Sequence, residues 1–141
     1  MSSAAALGPT FALVALTGFI WLTMLIQRAL HMRRYKIVPQ DMPTRALADA
    51  KFGDAQAANN ALMNLFELPV LFYLLSALTV MTGRPDIQFV SGAWIYVALR
   101  GVQAAIHVSY NNVLHRGSAY LLSSVVLWLM WGWFGWRIYF A

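Results

Sequence analysis

The sequence predicts an all-α integral membrane protein, an antiparallel bundle of four transmembrane helices. Three observations lead there. The 141 residues are 60% hydrophobic and only 11% charged, against about 25% charged in an ordinary soluble domain. Four apolar stretches, 8–27, 61–81, 87–108 and 117–136, each approach the ~20 residues that a helix needs to cross a hydrocarbon core. Most of the cationic residues fall between these stretches rather than inside them. With flanks included, the expected spans are approximately 8–33, 57–82, 87–112 and 116–139, within a single domain over 1–141. One connection of any size remains, about 28–55, and no internal repeat is visible.

The first span is expected to be retained rather than cleaved as a signal peptide. The preceding "MSSAAALGPT" has no Lys or Arg, unlike the basic start of a secretory signal. Its far end, "QRALHMRRYK", carries cations that can reach headgroups while their stems stay in lipid. The connection that follows has Pro39 and Pro43 and then an Ala-rich part expected to form a short interfacial helix. The second span starts near Ala57, and Pro69 removes a backbone donor within it, which predicts a kink. "MTGRPD" supplies the next turn, and "NNVLHRG" is a tight turn into the fourth span. That span ends in "WLMWGWFGWRIYF", whose Trp and Tyr suit a membrane interface and form an anchor rather than a cofactor box.

The net charge of +5 would suit a polyanion binder, but its distribution marks topology. Arg28, Arg33, Arg34, Lys36, Arg45 and Lys51 lie in or beside the first connection, Arg116 follows the third, and Arg84 in the second is offset by Asp86. Basic residues favour cytoplasmic loops. The first and third connections are therefore expected in the cytoplasm, with both termini on the other side, and nucleic acid is not an expected partner. With no cysteine, the chain has no disulfide, thiolate metal site or thiol nucleophile of its own. His31, His107 and His115 are too dispersed for a metal site, and no HExxH spacing occurs.

Polar residues inside the spans form stripes. At about 100° per residue, Gln56, Asn60, Asn64 and Glu67 share an arc of about 80° on span two. Arg100, Gln103, His107 and Asn111 share a similar arc on span three, and Arg116, Tyr120 and Ser123 share about 60° on span four. Lipid does not tolerate such faces, so they meet one another or water. Glu67 and Arg100 lie at matching depth, about 15 Å below the cytoplasmic surface at 1.5 Å per residue, and are expected to form an intramembrane ion pair. The competing explanation for each stripe is interhelical glue. It is preferred for Gln56, Asn59 and Ser123, weighs evenly for Glu67 with Arg100, and is outweighed for Arg116 with Tyr120, where a cation and a phenol converge at the cytoplasmic end.

"NLFELP" in span two and "RGVQAAIHVSYNNVLHRGSAY" across spans three and four resemble the MAPEG superfamily, membrane-associated proteins in eicosanoid and glutathione metabolism. The likeness covers essentially the whole chain, and "SYNNVLHR" is most similar to bacterial members. It implies a homotrimer, here in a bacterial inner membrane, that binds glutathione between subunits near the cytoplasmic face. Arg116 and Tyr120 are implied as catalytic, with Arg116 stabilising the glutathione thiolate. Asn60, Asn64, Glu67, Arg100, Gln103, His107, Arg33 and Arg34 are implied around the bound peptide, with no metal. The implied chemistry is conjugation, peroxide reduction or isomerisation of a lipophilic small molecule. A free thiol has a pKa of ~8.5, which an adjacent cation lowers, and Arg keeps its charge throughout. Two departures stand out. Asn60 occupies the place where better-known enzymes carry an Arg one turn before the Asn. Gly117 follows Arg116 where the prostaglandin-forming branch has a Ser, so prostaglandin E synthesis is not expected.

The expected function is thus a membrane-bound glutathione-dependent transferase or peroxidase acting on lipophilic electrophiles. Two alternatives stay open. One is a small proton-coupled transporter with Glu67 as its proton site. The other is a non-catalytic assembly subunit, which Asn60 favours.

Overall fold

The computed structural model describes residues 2–83 and 85–140. Helix α1 (Ser3–Tyr35) starts on Ser2, whose Oγ accepts from the Ala5 amide at 3.3 Å. It stops at Lys36, which turns left-handed at φ 52°. Arg33 and Arg34 sit in its last turn, where the helix dipole favours cations. After a 3-10 turn at Pro39–Asp41, the Ala-rich part forms α2 (Arg45–Phe52), capped by Thr44 Oγ1. A second 3-10 turn, Gly53–Gln56, leads into α3 (Ala57–Leu65).

The second span differs from expectation in one consequential way. Pro69 begins a new helix, α4 (Pro69–Met81), and the chain between Leu65 and Pro69 is not helical. Proline is well suited to the first position of a helix, where an amide has no partner to lose. The expected kink is therefore a break, with Glu67 in the middle of it.

Helix α5 (Ile87–Val108) is capped by Asp86, whose Oδ1 accepts from the Phe89 amide at 2.7 Å. It ends before the expected 112, because Asn111 adopts a left-handed φ of 48° in the turn. Helix α6 (Val113–Tyr139) starts earlier than expected. Asn112 Oδ1 accepts from the amides of Leu114 and His115 at 3.0 and 3.1 Å, which puts Arg116 inside the first turn.

The core lies where α1, α3, α4 and α5 meet. Leu13 and Ile20 of α1, Leu65 of α3, Phe72 of α4 and Tyr96 of α5 are buried together, with Leu127 of α6 closing the side. Phe72 and Tyr96 stack at 4.9 Å, and Thr10 shares a 2.7 Å hydroxyl contact with Ser76 across α1 and α4. At one end of the bundle, Asp86 also accepts from Trp133 Nε1 at 2.9 Å and pairs with Arg137. Arg84, the expected partner of Asp86, lies outside the described residues.

Much of the outside is apolar as well. Phe11, Phe19, Trp128 and Leu129 are all more than half exposed, a surface that water would drive to aggregate. Among the described residues, four helical segments are long and apolar enough to cross a membrane: Ser3–Tyr35, Ala57–Met81, Ile87–Val108 and Val113–Tyr139. Hydrocarbon covers this coat, and the chain is an integral, multi-pass membrane protein.

Candidate functional site

The polar interior is concentrated at the end of the bundle where α1 and α5 finish and α3 and α6 begin. Helix α5 supplies its floor. Tyr96, Arg100, Gln103 and His107 follow one another at spacings of three and four, so they share one inward face, and all four are buried. Arg100 is fully buried. Its Nε donates to Tyr96 Oη at 3.1 Å and its Nη1 to Gln103 Oε1 at 2.8 Å. The guanidinium carbon also lies 5.4 Å from the centre of the Tyr96 ring and 4.9 Å from that of Tyr120.

Arg116 enters from α6. Its Nη1 donates to His107 Nε2 and to Asn111 Oδ1, both at 2.7 Å. A guanidinium has no acceptor, so His107 must present a bare Nε2 and carry its proton on Nδ1. His107 and Asn111 thus hold Arg116 on one edge and leave its other N–H groups available. From α3, Asn64 Nδ2 donates to the Asn60 carbonyl at 3.0 Å, which leaves the Asn64 carboxamide oxygen able to accept.

These residues enclose a recess of about 320 Å³ lined by Asn60, Asn64, Gln103, His107, Arg116 and Tyr120, with Gly117 at the edge. No lining residue is acidic. A Cβ on Gly117 would meet nothing within 4 Å, so the recess has room there. Asn60 also lines a second, larger cavity of about 870 Å³ that opens beside His31, Arg34, Gln56 and Asn111. Its wall is braced by Gln56, which accepts from Arg28 at 3.0 Å and donates to Asp49. A third cavity, about 270 Å³ and almost wholly apolar, lies at the opposite end against Gly92 and Met130.

Six of the expected site residues therefore converge, and Arg100 lies directly behind two of them. The Glu67–Arg100 ion pair does not form within the chain. Glu67 is exposed and lines none of these three cavities, while Arg100 is engaged by Tyr96 and Gln103. The break before Pro69 explains this: helical phase carried forward from Asn64 stops applying at Phe66. Arg34 borders the larger cavity, whereas Arg33 is exposed and lines neither polar one. Asn111 belongs to the polar stripe of span three, but its bond to Arg116 depends on the turn rather than on the stripe, and Tyr96, a Tyr among apolar residues, carries no sequence signal that separates it from ordinary core. The signal for Asn111 was the "YNN" turn just ahead of Arg116.

The arrangement is that of a helical membrane protein with a cationic, donor-rich recess opening at one end of its bundle. The chain belongs to the MAPEG family, which it matches over residues 6–136. Members of that family are glutathione-dependent membrane transferases and peroxidases or eicosanoid enzymes. No curated protein and no solved structure gives a significant match to this chain.

Proposed function

We propose that this protein is a membrane-bound glutathione transferase or peroxidase acting on lipophilic electrophiles, with the recess as its thiol site. The observation that carries this is the anchored Arg116. A permanent cation is held by His107 and Asn111 at 2.7 Å in a recess with no acidic lining. Such a cation favours the thiolate over the thiol without taking a proton itself. The recess volume of about 320 Å³ suits a small peptide. Tyr120 Oη can donate to the sulfur or to the departing group, the Gln103 amide can donate to a carboxylate, and the Asn64 oxygen can accept from an ammonium. In conjugation the sulfur forms a bond to the electrophilic carbon as the bond to the leaving group breaks, and that group departs with the electron pair. An apolar electrophile reaches the recess from the surrounding bilayer.

In the proposed assembly the basic ends of the spans face the cytoplasm, with both termini opposite, a bacterial inner membrane around the bundle and three chains in the functional unit. Exposed Glu67 is consistent with a partner contributed by a neighbouring copy. A transporter using Glu67 is less well supported, because Glu67 borders none of the three cavities. Replacing Arg116 by Ala should lower conjugation of glutathione to an aryl halide by about 10²–10³-fold, the usual effect of removing one preorganised charge-stabilising donor, with assembly unchanged. Unaltered turnover in that variant would exclude the proposed thiolate site.

A further inference from the structure

The apolar cavity at the far end of the bundle shares no lining residue with the recess, and its shape and polarity point to an occupant. It follows α5 from Asp86 to Ile95 and α6 from Ile138 to Val126, about 14 and 18 Å at 1.5 Å per residue. That matches the hydrocarbon depth of one leaflet, about 15 Å or half of a ~30 Å core. The outer end carries Asp86, Gln88, Arg137 and Trp133, with Trp133 Nε1 donating to Asp86 at 2.9 Å. A Trp and a cation at one level suit the headgroup region. Deeper in, the lining is apolar, with Gly92, Ile95, Leu129 and Met130. Thr79 beneath commits its hydroxyl to the Leu75 carbonyl at 2.8 Å, so it offers little to a water molecule. A Cβ on Gly92 would meet Met130 Cγ at 3.0 Å and Sδ at 3.2 Å, so glycine there lets Met130 pack close to the α5 backbone. Ile95 and Leu129 are more than half exposed, which makes the cavity continuous with the apolar coat that hydrocarbon covers. A volume of about 270 Å³ along that length is one chain wide. A helix of a second copy, about 10 Å across, does not enter it.

We propose that this groove is a binding site for a phospholipid of the leaflet opposite the recess. One acyl chain lies between α5 and α6 over Phe89 and Met130, and the headgroup sits at the level of Asp86, Gln88 and Trp133. The lipid bridges the two helices that Asp86 already ties together through Trp133 and Arg137, and it exchanges more slowly than the lipid around the exposed faces. The site is separate from the recess and does not depend on the chemistry assigned there.

The test uses full-length protein in phosphatidylethanolamine vesicles doped with a phosphatidylethanolamine that carries a diazirine midway along one acyl chain. Photolabelled residues are mapped by peptide mass spectrometry, with and without dilution of the probe by excess unlabelled lipid just before illumination. Wild type should be labelled on the groove floor, at Phe89 and Met130, and this label should survive the dilution. Label on Phe11 and Phe19 of the outer face should fall with the probe fraction. Ile95→Trp and Leu129→Trp, both at the exposed rim, set an indole at the groove and should each lower the Met130 label at least about tenfold, equivalent to about 1.4 kcal/mol in binding. Leu122→Trp, exposed on α6 outside the cavity, should leave it unchanged. A Met130 label that falls on dilution as Phe11 does would mean ordinary surrounding lipid and would overturn the proposal. So would an unlabelled floor, an undiminished label in either rim variant, or an equal loss in Leu122→Trp. Disulfide-linked chains formed by Ile95→Cys or Leu129→Cys would put a second copy over the groove and overturn it as well.

Discussion

At the scale of single residues, the site depends on what restrains Arg116. His107 and Asn111 converge on the same nitrogen, so each should matter through the position of that cation. A hydrogen bond to a charged group contributes about 1.5–3 kcal/mol. His107→Phe keeps the ring but removes the acceptor, and should slow conjugation by about tenfold or more, whereas Asn111→Asp, which keeps an acceptor, should retain activity better than Asn111→Ala. Initial-rate measurements on the three variants decide it: equal rates for Asn111→Asp and Asn111→Ala would remove Asn111 from the site. Recess residues were legible in the sequence wherever the helix was continuous. Gln103 and His107 on α5, and Asn60 and Asn64 on α3, sit on the expected faces because nothing interrupts the 100° step between them. Glu67 leaves its expected face, because azimuth requires an unbroken helix and the chain is not helical from Phe66 to Leu68.

At the scale of elements, the ends of helices determine the geometry. Asn112 caps α6 and so sets where Arg116 falls within its first turn. Asn111, in the left-handed turn before it, makes the short reversal that brings α5 and α6 side by side. At the far end Asp86 does two things at once: it caps α5 and ties it to Trp133 and Arg137 of α6. Asp86→Asn preserves capping ability but removes the charge. It should destabilise the bundle by about 1–3 kcal/mol, the usual cost of losing a charge-assisted bond in a partly buried setting, without altering turnover per folded molecule. Reversible unfolding in mixed micelles would measure this; a stability equal to wild type would mean that the α5–α6 junction is held by apolar packing alone. Neither Asp86–Arg137 nor Arg28–Gln56 is legible in the sequence, since the partners lie 51 and 28 positions apart.

At the scale of the whole molecule, the basic end of the bundle and the recess coincide, so orientation bears directly on function. The chain has no cysteine, which makes single introduced thiols clean reporters. A membrane-impermeant maleimide should label Ser3→Cys in intact cells and reach Ala50→Cys only after lysis, both sites being exposed in the fold; the opposite pattern would place the recess on the non-cytoplasmic side. By itself the sequence determined the four spans, their order and the cationic end, because hydrocarbon admits only long apolar helices and basic residues collect in the connections. Only the tertiary structure decided which polar side chains meet. It turned Glu67 outward, drew Asn111 and His107 onto Arg116, and sealed Arg100 beneath Gln103 and Tyr120. The physical reason is that composition governs whether a segment enters the membrane, whereas the direction of a side chain depends on where each helix stops and on which neighbour packs against it.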